Sequence, residues 1–246
     1  MKYLVLLTLL FMTSTGSYAQ LHLESDHFKT PMGDLEIFFV GHGTLMMKID
    51  GKVIHIDPVL SEYDYTKMPD ADLILVTHQH GDHLDAKAIG EILTPATTLV
   101  MPPVCKEAYT GKGNILVMKN GEEQKVAGID IKAYPAYNLE HKRSDGNPFH
   151  PKGEGNAYLL NFGGFKVLVG GDTENIPELK ALSDIDVAFL PMNLPYTMTP
   201  EMVADLALAM KPAILYPYHF GKTDTGKIKA LLKDHPEIEV RLRDLD

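Results

Sequence analysis

The sequence His-Gln-His-Gly-Asp-His at residues 78–83 places four side chains of the kinds that bind metal ions close together. The largely apolar run at residues 72–76 comes one residue before it and predicts a buried strand. If the chain stays extended, the first two histidines point to the same side, because side chains alternate along a strand. The glycine then permits a sharp turn, so the aspartate and the third histidine can face the same point. The four candidate ligands are His78, His80, Asp82 and His83.

This mixture of nitrogen and oxygen donors suits zinc, and manganese, iron or nickel are alternatives. One imidazole pair and one carboxylate–imidazole pair could hold two adjacent ions. We therefore expect one or two divalent metal ions as the cofactor. A histidine-rich surface loop is the competing interpretation.

The first nineteen residues have the pattern of a secretory signal peptide. A lysine at the second position precedes an apolar stretch at 3–12, and small residues at Ser17 and Ala19 predict cleavage after Ala19. The apolar stretch is too short to span a bilayer, although a short membrane anchor or a buried helix would also fit it. No cysteine lies near the expected cleavage site, as a bacterial lipoprotein would require. We expect an exported, periplasmic or extracellular protein without stable membrane insertion after cleavage.

Removal of residues 1–19 leaves 227 residues, enough for a single domain over 20–246. The net charge of the whole chain is −10, and it becomes about −11 without Lys2. Such a charge repels polyanions, and no run of basic residues is present, so nucleic acid is excluded as a partner. The expected partner is a small-molecule substrate. The lone cysteine, Cys105, has the surroundings of a packed residue.

Apolar runs, glycine turns and helix caps divide the chain into strands and helices. The strands come first in each half, and helices follow them, which favours a layered α/β architecture. The predicted strands are residues 35–40, 45–50, 53–57, 72–76, 98–101, 115–117, 121–126 and 129–136 as a hairpin, 156–162, 165–170, 185–191, 213–217 and 238–242, and the predicted helices are residues 86–93, 104–109, 200–210 and 226–235.

The His-x-His-x-Asp-His sequence after an apolar strand resembles the signature of the metallo-β-lactamase fold hydrolases. The resemblance covers nearly all of the chain after residue 19, and it implies a four-layer αββα sandwich with two mixed sheets flanked by helices. It also implies that Asp172, released at a strand end after two glycines, bridges two cations. His219, at the end of a later strand, matches the last metal-binding histidine. Asp57 matches a buried carboxylate that orients a ligand histidine, although an aspartate before proline can also simply start a turn.

The chain departs from the family pattern at one ligand. Where family members place a histidine after the strand that ends in Pro-Ala-x, this sequence has Asn138. The Asn138 amide oxygen, His141 and His150 are all candidates to complete the first metal site, and a site with only two histidines is a further alternative. We favour His150, which requires the loop rich in glycine and proline to fold back over the site.

The turn Gly-His-Gly-Thr at 41–44 resembles the branch that contains ascorbate-phosphate lactonases and N-acylphosphatidylethanolamine phospholipase D. In that branch the histidine borders the metals, so His42 is expected to touch substrate. Tyr196 is a second candidate, either donating a hydrogen bond to substrate or only packing. Asp82 is expected to orient the nucleophile. The implied activity is hydrolysis of an ester, lactone or phosphodiester by metal-activated water; an iron-dependent oxidoreductase and a metal-binding module without catalysis are the alternatives.

Overall fold

Two sheets of seven strands each make up the centre of the computed structural model, which describes residues 23–245. The expected signal peptide lies outside the described residues. The first sheet contains, in spatial order, β1 (Ser25–Thr30), β2 (Gly33–Gly41), β3 (Thr44–Ile49), β4 (Lys52–Ile56), β5 (Leu73–Leu75), β6 (Thr98–Met101) and β7 (Asn114–Val117). The second sheet contains β8 (Glu123–Val126), β9 (Ile129–Ala136), β10 (Gly155–Phe162), β11 (Phe165–Val169), β12 (Val187–Pro191), β13 (Ile214–Tyr218) and β14 (Glu239–Val240).

The helices of the described part are short apart from one. They are α1 (Ala86–Ile92), α2 (Pro103–Ala108), α3 (Pro177–Lys180), α4 (Pro200–Met210) and α5 (Gly226–Leu231), and a 3-10 turn covers Tyr65–Lys67. Within residues 23–245, no helix combines the length and the apolar character needed to cross a membrane.

Side chains alternate along β2 between the two faces of the first sheet, and each face packs in a different apolar cluster. Leu35, Ile37 and Phe39 join the large core between the sheets, whereas Phe38 and Val40 join a second apolar cluster on the opposite face of the first sheet. This is the period of two expected for a strand that is buried on both faces. Helix α1 covers the second cluster, and α4 adds its apolar residues to the core of the second sheet. The structure thus has the expected αββα class.

Each sheet starts with antiparallel strands and continues with parallel ones. In the first sheet, β4 to β7 are parallel to one another, and in the second sheet β11 to β14 are parallel. Parallel strands end at the same edge of a sheet, so the residues that follow them gather there. Asp57, the 78–83 sequence, Asp172 and His219 follow β4, β5, β11 and β13.

Some predicted elements differ from the structure. β5 ends at Leu75, so His78 and His80 lie beyond the strand, and a turn instead of an extended backbone brings their ring centroids to 4.7 Å. β1 was not predicted because its polar sequence lacks an alternating pattern, and α3 was not predicted because it has four residues. Helix α5 ends at Leu231 instead of residue 235, because Leu232 leaves the helical conformation with φ −101° and ψ 10°.

Candidate metal centre

Three groups of histidine and aspartate side chains meet where the strands end. Within each group, one ligand atom from every residue lies within 4.8 Å of the others. The groups are His78, His80, His150 with Asp172; His83, Asp172 with His219; and His42, Asp82 with His219. Asp172 belongs to the first two groups, so its carboxylate lies between two places where a cation could bind.

The first group has the spacing of a tetrahedral site. His78 Nε2 lies 3.1 Å from His80 Nδ1, and His150 Nε2 lies 3.1 Å from Asp172 Oδ2. Nitrogen atoms about 2.1 Å from a zinc ion would be separated by about 3.4 Å along a tetrahedron edge. His78 Nε2 is 3.8 Å from the same aspartate oxygen. One divalent ion could contact all four residues with small adjustments.

The second group uses the other oxygen of Asp172, and the third group adjoins the second through His219. The Asp172 Oδ1 atom lies 3.4 Å from His83 Nε2 and 3.5 Å from His219 Nε2. Asp82 Oδ2 approaches the same histidines at 3.9 and 3.6 Å, and it lies 3.4 Å from His42 Nε2. The structure therefore brings the predicted ligands Asp82, His83 and His219 together, with His42 at their border.

Buried polar atoms without partners show that this arrangement fits a cation. Within residues 23–245, the Nε2 atoms of His83 and His219 and the Oδ1 atom of Asp172 are buried and make no hydrogen bond. Leaving such atoms unsatisfied is costly. A divalent ion with a preference for nitrogen and oxygen donors would satisfy all three at once. The identity of the ion does not follow from this geometry.

Asp57 fixes the orientation of the His83 ring through a hydrogen bond. It lies at a positive φ of 47°, and its Oδ2 atom is 2.8 Å from His83 Nδ1. The backbone N–H and the hydroxyl of Thr77 donate to the two Asp57 oxygens at 2.7 and 2.6 Å. Because the carboxylate accepts the Nδ1 proton of His83, Nε2 is the atom whose lone pair becomes available to a metal ion when the ring is neutral.

Thr77 has a similar effect on His78. Its hydroxyl proton is used by Asp57, so its oxygen can accept from His78 Nδ1 at 3.1 Å. His78 Nε2 then also carries a lone pair toward the first group. Sequence reasoning did not identify Thr77, because its role depends on the contact across to β4.

Asn138 orients His150. The Asn138 amide nitrogen donates to Glu174 Oε1 at 3.0 Å and to the backbone oxygen of Tyr196 at 2.8 Å, two groups that only accept. The amide oxygen must therefore face His150, where it accepts from the backbone N–H at 2.7 Å and from Nδ1 at 2.9 Å. His150, not Asn138, presents a nitrogen to the other ligands.

His141, the remaining candidate, is held elsewhere. Its Nδ1 lies 2.7 Å from Glu174 Oε1, and it belongs to none of the three groups. The buried Glu174 also accepts from the backbone N–H groups of residues 139, 140 and 141. Glu174 therefore anchors the start of the loop that carries His150. Its position two residues after Asp172 was the only sequence signal for this role.

Two residues of the centre have unusual backbone conformations. His42 and His219 have φ values of 49° and 46°, and the His219 N–H donates to the His42 oxygen at 3.0 Å. Positive φ is uncommon for residues other than glycine and is concentrated at functional sites. Their rings lie 3.8 Å apart, so the turn at 41–44 borders the second group as expected.

The protonation states are set by burial and by the neighbouring charges. Burial, together with His83, holds the pKa of His78 well below its usual range, and burial with His150 lowers the pKa of His80. Burial opposes a charged His83, but Asp172 and Asp57 outweigh it and raise the pKa of His83 to about 9. A proton on His83 thus occupies the position that a metal would take.

Both aspartates of the centre are ionised. Burial disfavours the charge of Asp172, but His219 and His83 hold the pKa of its carboxyl well below the usual range. Partial burial likewise disfavours the Asp82 carboxylate, yet His219 and His42 lower its pKa. The two carboxylates can therefore act as ligands at any ordinary pH.

A cleft of about 420 Å³ opens above these groups. Tyr196, whose surface is 46% exposed, lines it, and its contact with substrate stays a prediction. Arg143, Phe149 and Asn193 line it as well and were not predicted. They lie on loops whose folding depends on contacts distant in sequence, so no local pattern marks them.

Comparison with known proteins identifies the class. The family model described as a beta-lactamase superfamily domain matches residues 36–219. A UPF0173 metal-dependent hydrolase of Methanopyrus kandleri is 32% identical over 196 residues, which cover 76% of this chain and 84% of the relative. The chain belongs to the beta-lactamase superfamily and is a metal-dependent hydrolase.

Solved structures agree with this assignment. The crystal structure of a protein from Parabacteroides distasonis, described as a metal-dependent hydrolase, is 45% identical with a TM-score of 0.84, and the match covers 92% of this chain and 100% of that one. A metallo hydrolase from the archaeon Ignicoccus hospitalis shares the fold at 21% identity, with a TM-score of 0.66 and coverage of 86% and 95%. Because relatives include archaeal proteins, the family does not restrict this chain to bacteria. These matches also do not distinguish the lactonase and phospholipase D branch.

Proposed function

We propose that this hydrolase cleaves an ester, lactone or phosphodiester bond in a small substrate, in the manner of the lactonase and phospholipase D branch. The observation that carries the proposal is the shared carboxylate of Asp172, whose two oxygens face two different groups of histidines. The Gly-His-Gly-Thr turn, with His42 beside the second group, supports the choice of branch.

The ligands of the two ions would come from both halves of the chain. His78, His80 and His150 would hold one ion, Asp82, His83 and His219 the other, and Asp172 would contact both. Zinc is the expected ion, with manganese, iron or nickel as alternatives. Bound there, such ions would lower the pKa of water toward neutrality and polarise the carbonyl or phosphoryl oxygen of the substrate.

The remaining residues would position substrate and protons. The Asp82 side chain is 49% exposed toward the cleft, so it can accept a hydrogen bond from the attacking water and orient it. His42 pairs with Asp82 and lines the same cleft, which places it against bound substrate. The exposed Tyr196 hydroxyl would donate to substrate or to the developing oxyanion.

Replacement of Asp82 tests this assignment. Asp82→Asn should reduce turnover on a panel of esters, lactones and phosphodiesters by at least about 100-fold, because it removes the orienting charge. The fold should remain intact by circular dichroism, since Asp82 is half-exposed. Asp34→Asn, on the exposed hairpin between β1 and β2, is the matched control. Full activity of Asp82→Asn would contradict the role of Asp82.

The panel also separates the other functions that the sequence allows. Iron that is reduced and reoxidised, without hydrolysis of any substrate, would favour an oxidoreductase. Tightly bound metal without turnover or redox change would favour a binding module. Hydrolysis that depends on added divalent ions supports the proposal.

We also propose that the protein is exported after cleavage at Ala19. The support is the charged start, the apolar segment and the small residues before the cleavage position. Sequencing the amino terminus of the protein recovered outside the cytoplasm should give Gln20 as the first residue. An uncleaved chain that remains inside the cell would contradict this.

A further inference from the structure

The cleft above the metal centre has one permanently charged basic side chain. Among the described residues that line it, the histidines belong to the metal-binding groups, and Arg143 is the only lysine or arginine. The two acids in the lining, Asp82 and Asp172, are candidate metal ligands, so bound cations would offset their charge. Arg143 would add a fixed positive charge on the cleft wall to the net positive charge of the ions and their ligands.

Arg143 is placed by aromatic packing. The guanidinium carbon lies 5.0 Å from the centre of the Phe149 ring, and Nη2 donates to the Phe149 backbone oxygen at 3.3 Å. The Phe149 ring in turn meets Tyr196 edge to face at 5.1 Å. Stacking on an aromatic face limits the positions of an otherwise flexible side chain.

The backbone beneath Arg143 is also constrained. Its N–H donates to the Asn147 oxygen at 2.7 Å, and its own oxygen accepts from Gly146 N–H at 3.0 Å. A bridge between Lys142 and Pro148 closes the same turn. These hydrogen bonds hold the backbone that carries the Arg143 guanidinium in a defined conformation.

Most donors of Arg143 have no protein partner. A guanidinium carries five N–H groups, and within residues 23–245 Arg143 makes one side-chain hydrogen bond and no ion pair. Asp145, on the same turn, interacts with the charge of Arg143 without contacting it, and its hydrogen bonds come from the backbone and side chain of Asn147. In a chain with a net charge of −10, an arginine whose guanidinium has N–H groups to spare beside a cleft is suited to an anion from outside.

We propose that Arg143 determines specificity by binding a carboxylate or phosphate group of the substrate at a distance from the scissile bond. Planar, two-pronged donors match both oxyanions. The substrates are therefore anionic esters, lactones or phosphodiesters, with an apolar or flat part against Phe149 and Tyr196. This inference rests on the proposed hydrolytic function.

The kinetic test compares three nitrophenyl esters whose acyl chains have the same length and differ in the group at the far end. One is the hexanoate, one is the adipate monoester with a terminal carboxylate, and one carries a terminal phosphate. The wild-type protein should prefer an anionic ester. Arg143→Gln should lower kcat/KM for that ester about 10- to 100-fold, mainly through KM, and change the neutral ester by less than about twofold. Whichever anionic ester loses more identifies the preferred group.

Two further variants separate charge from geometry. Arg143→Lys should recover part of the loss, because it keeps the charge but not the planar donors. Lys142→Gln removes the neighbouring exposed charge, which does not line the cleft, and should behave as wild type. Equal losses on neutral and anionic esters, or no loss on any of them, would overturn the proposal.

A binding measurement keeps this inference separate from the proposed function. The anilides of the same three acids are not readily hydrolysed, so calorimetry on the metal-loaded protein measures recognition without turnover. At least one of the two anionic anilides, with a terminal carboxylate or a terminal phosphate, should bind wild type at least about tenfold more tightly than the neutral anilide, and Arg143→Gln should abolish the difference. Equal or undetectable binding of all three by wild type would overturn the role of Arg143, whatever the esters show. Selective binding without hydrolysis would instead contradict the proposed function alone.

Discussion

The side-chain oxygen of Asn138 accepts two hydrogen bonds from His150, one from the backbone N–H at 2.7 Å and one from Nδ1 at 2.9 Å. Asn138, at the position where the family resemblance predicts a ligand histidine, thus positions a histidine twelve residues later. We expect His150 to serve as the ligand in its place.

Asn138→Leu should therefore weaken metal retention without removing a ligand. Loss of a hydrogen bond that orients a ligand lowers metal affinity by about 10- to 100-fold. Competition with a chromogenic chelator measures the change for the more weakly held ion. Asn114→Leu, at an exposed position at the start of β7, is the matched control. Unchanged affinity in Asn138→Leu would show that His150 does not depend on this contact.

His83 and His219, two candidate ligands, pack so closely against residue 43 that only glycine fits there without displacing them. A Cβ atom at this position would lie 2.7 Å from His83 Cε1 and 3.4 Å from His219 Cδ2. Gly43→Ala should therefore displace His83 and lower metal affinity and hydrolysis together, by at least about tenfold.

Gly90→Ala is the control for that substitution. A Cβ atom at Gly90 meets nothing within 4 Å, and the residue lies inside α1. The change should leave metal binding intact and raise the free energy of unfolding by about 0.5–1 kcal/mol, because alanine favours a helix more than glycine does. Equal metal affinity in both variants would contradict the packing argument for Gly43.

Removal of the Asp57 charge should affect both stability and metal binding. Its carboxylate accepts from Thr77 twice and from His83 once, all in the interior. Asp57→Asn leaves one of these donors facing an amide N–H, so the free energy of unfolding should fall by about 1–3 kcal/mol. Urea denaturation with and without metal measures both effects, and a variant as stable as wild type in both states would contradict them.

Metal binding to the second group should release a proton below about pH 9. The pKa of His83 is raised to about 9, so at neutral pH its Nε2 carries a proton that a metal must displace. The apparent affinity should fall as pH falls, by about tenfold per pH unit while one proton is exchanged. Calorimetry in buffers with different ionisation enthalpies counts the protons. An affinity independent of pH across the neutral range would show that His83 is not a ligand.

The local parts of the site were predictable from sequence, and the parts that depend on loop folding were not. His78 to His83 lie within one short segment, and Asp172 and His219 follow apolar strands, so periodicity and resemblance placed them at one edge. The choice among Asn138, His141 and His150 required the path of the loop. Glu174 sets that path by accepting three backbone N–H groups, which no sequence pattern shows.

The residues that line the cleft could not be predicted from the sequence, because their positions depend on similar long-range contacts. Arg143 and Phe149 approach the site because the loop that carries them turns back on itself, and Asn193 follows β12 in the second sheet. β1 escaped prediction for a different reason, since an edge strand with one polar face and few apolar residues lacks a clear alternating pattern. The layered α/β class followed from the order of strands and helices, and the four-layer αββα sandwich followed from the family resemblance.

Two cations should bind on either side of Asp172 and support hydrolysis. Metal content measured by mass spectrometry, together with hydrolysis of the preferred ester, before and after removal of metal with a chelator, tests this directly. We predict two equivalents per chain as purified, loss of hydrolysis with the metal, and recovery on adding back two equivalents. We predict one equivalent or fewer for Asp172→Ala. Hydrolysis that persists after complete removal of metal would contradict binding of two catalytic cations at Asp172.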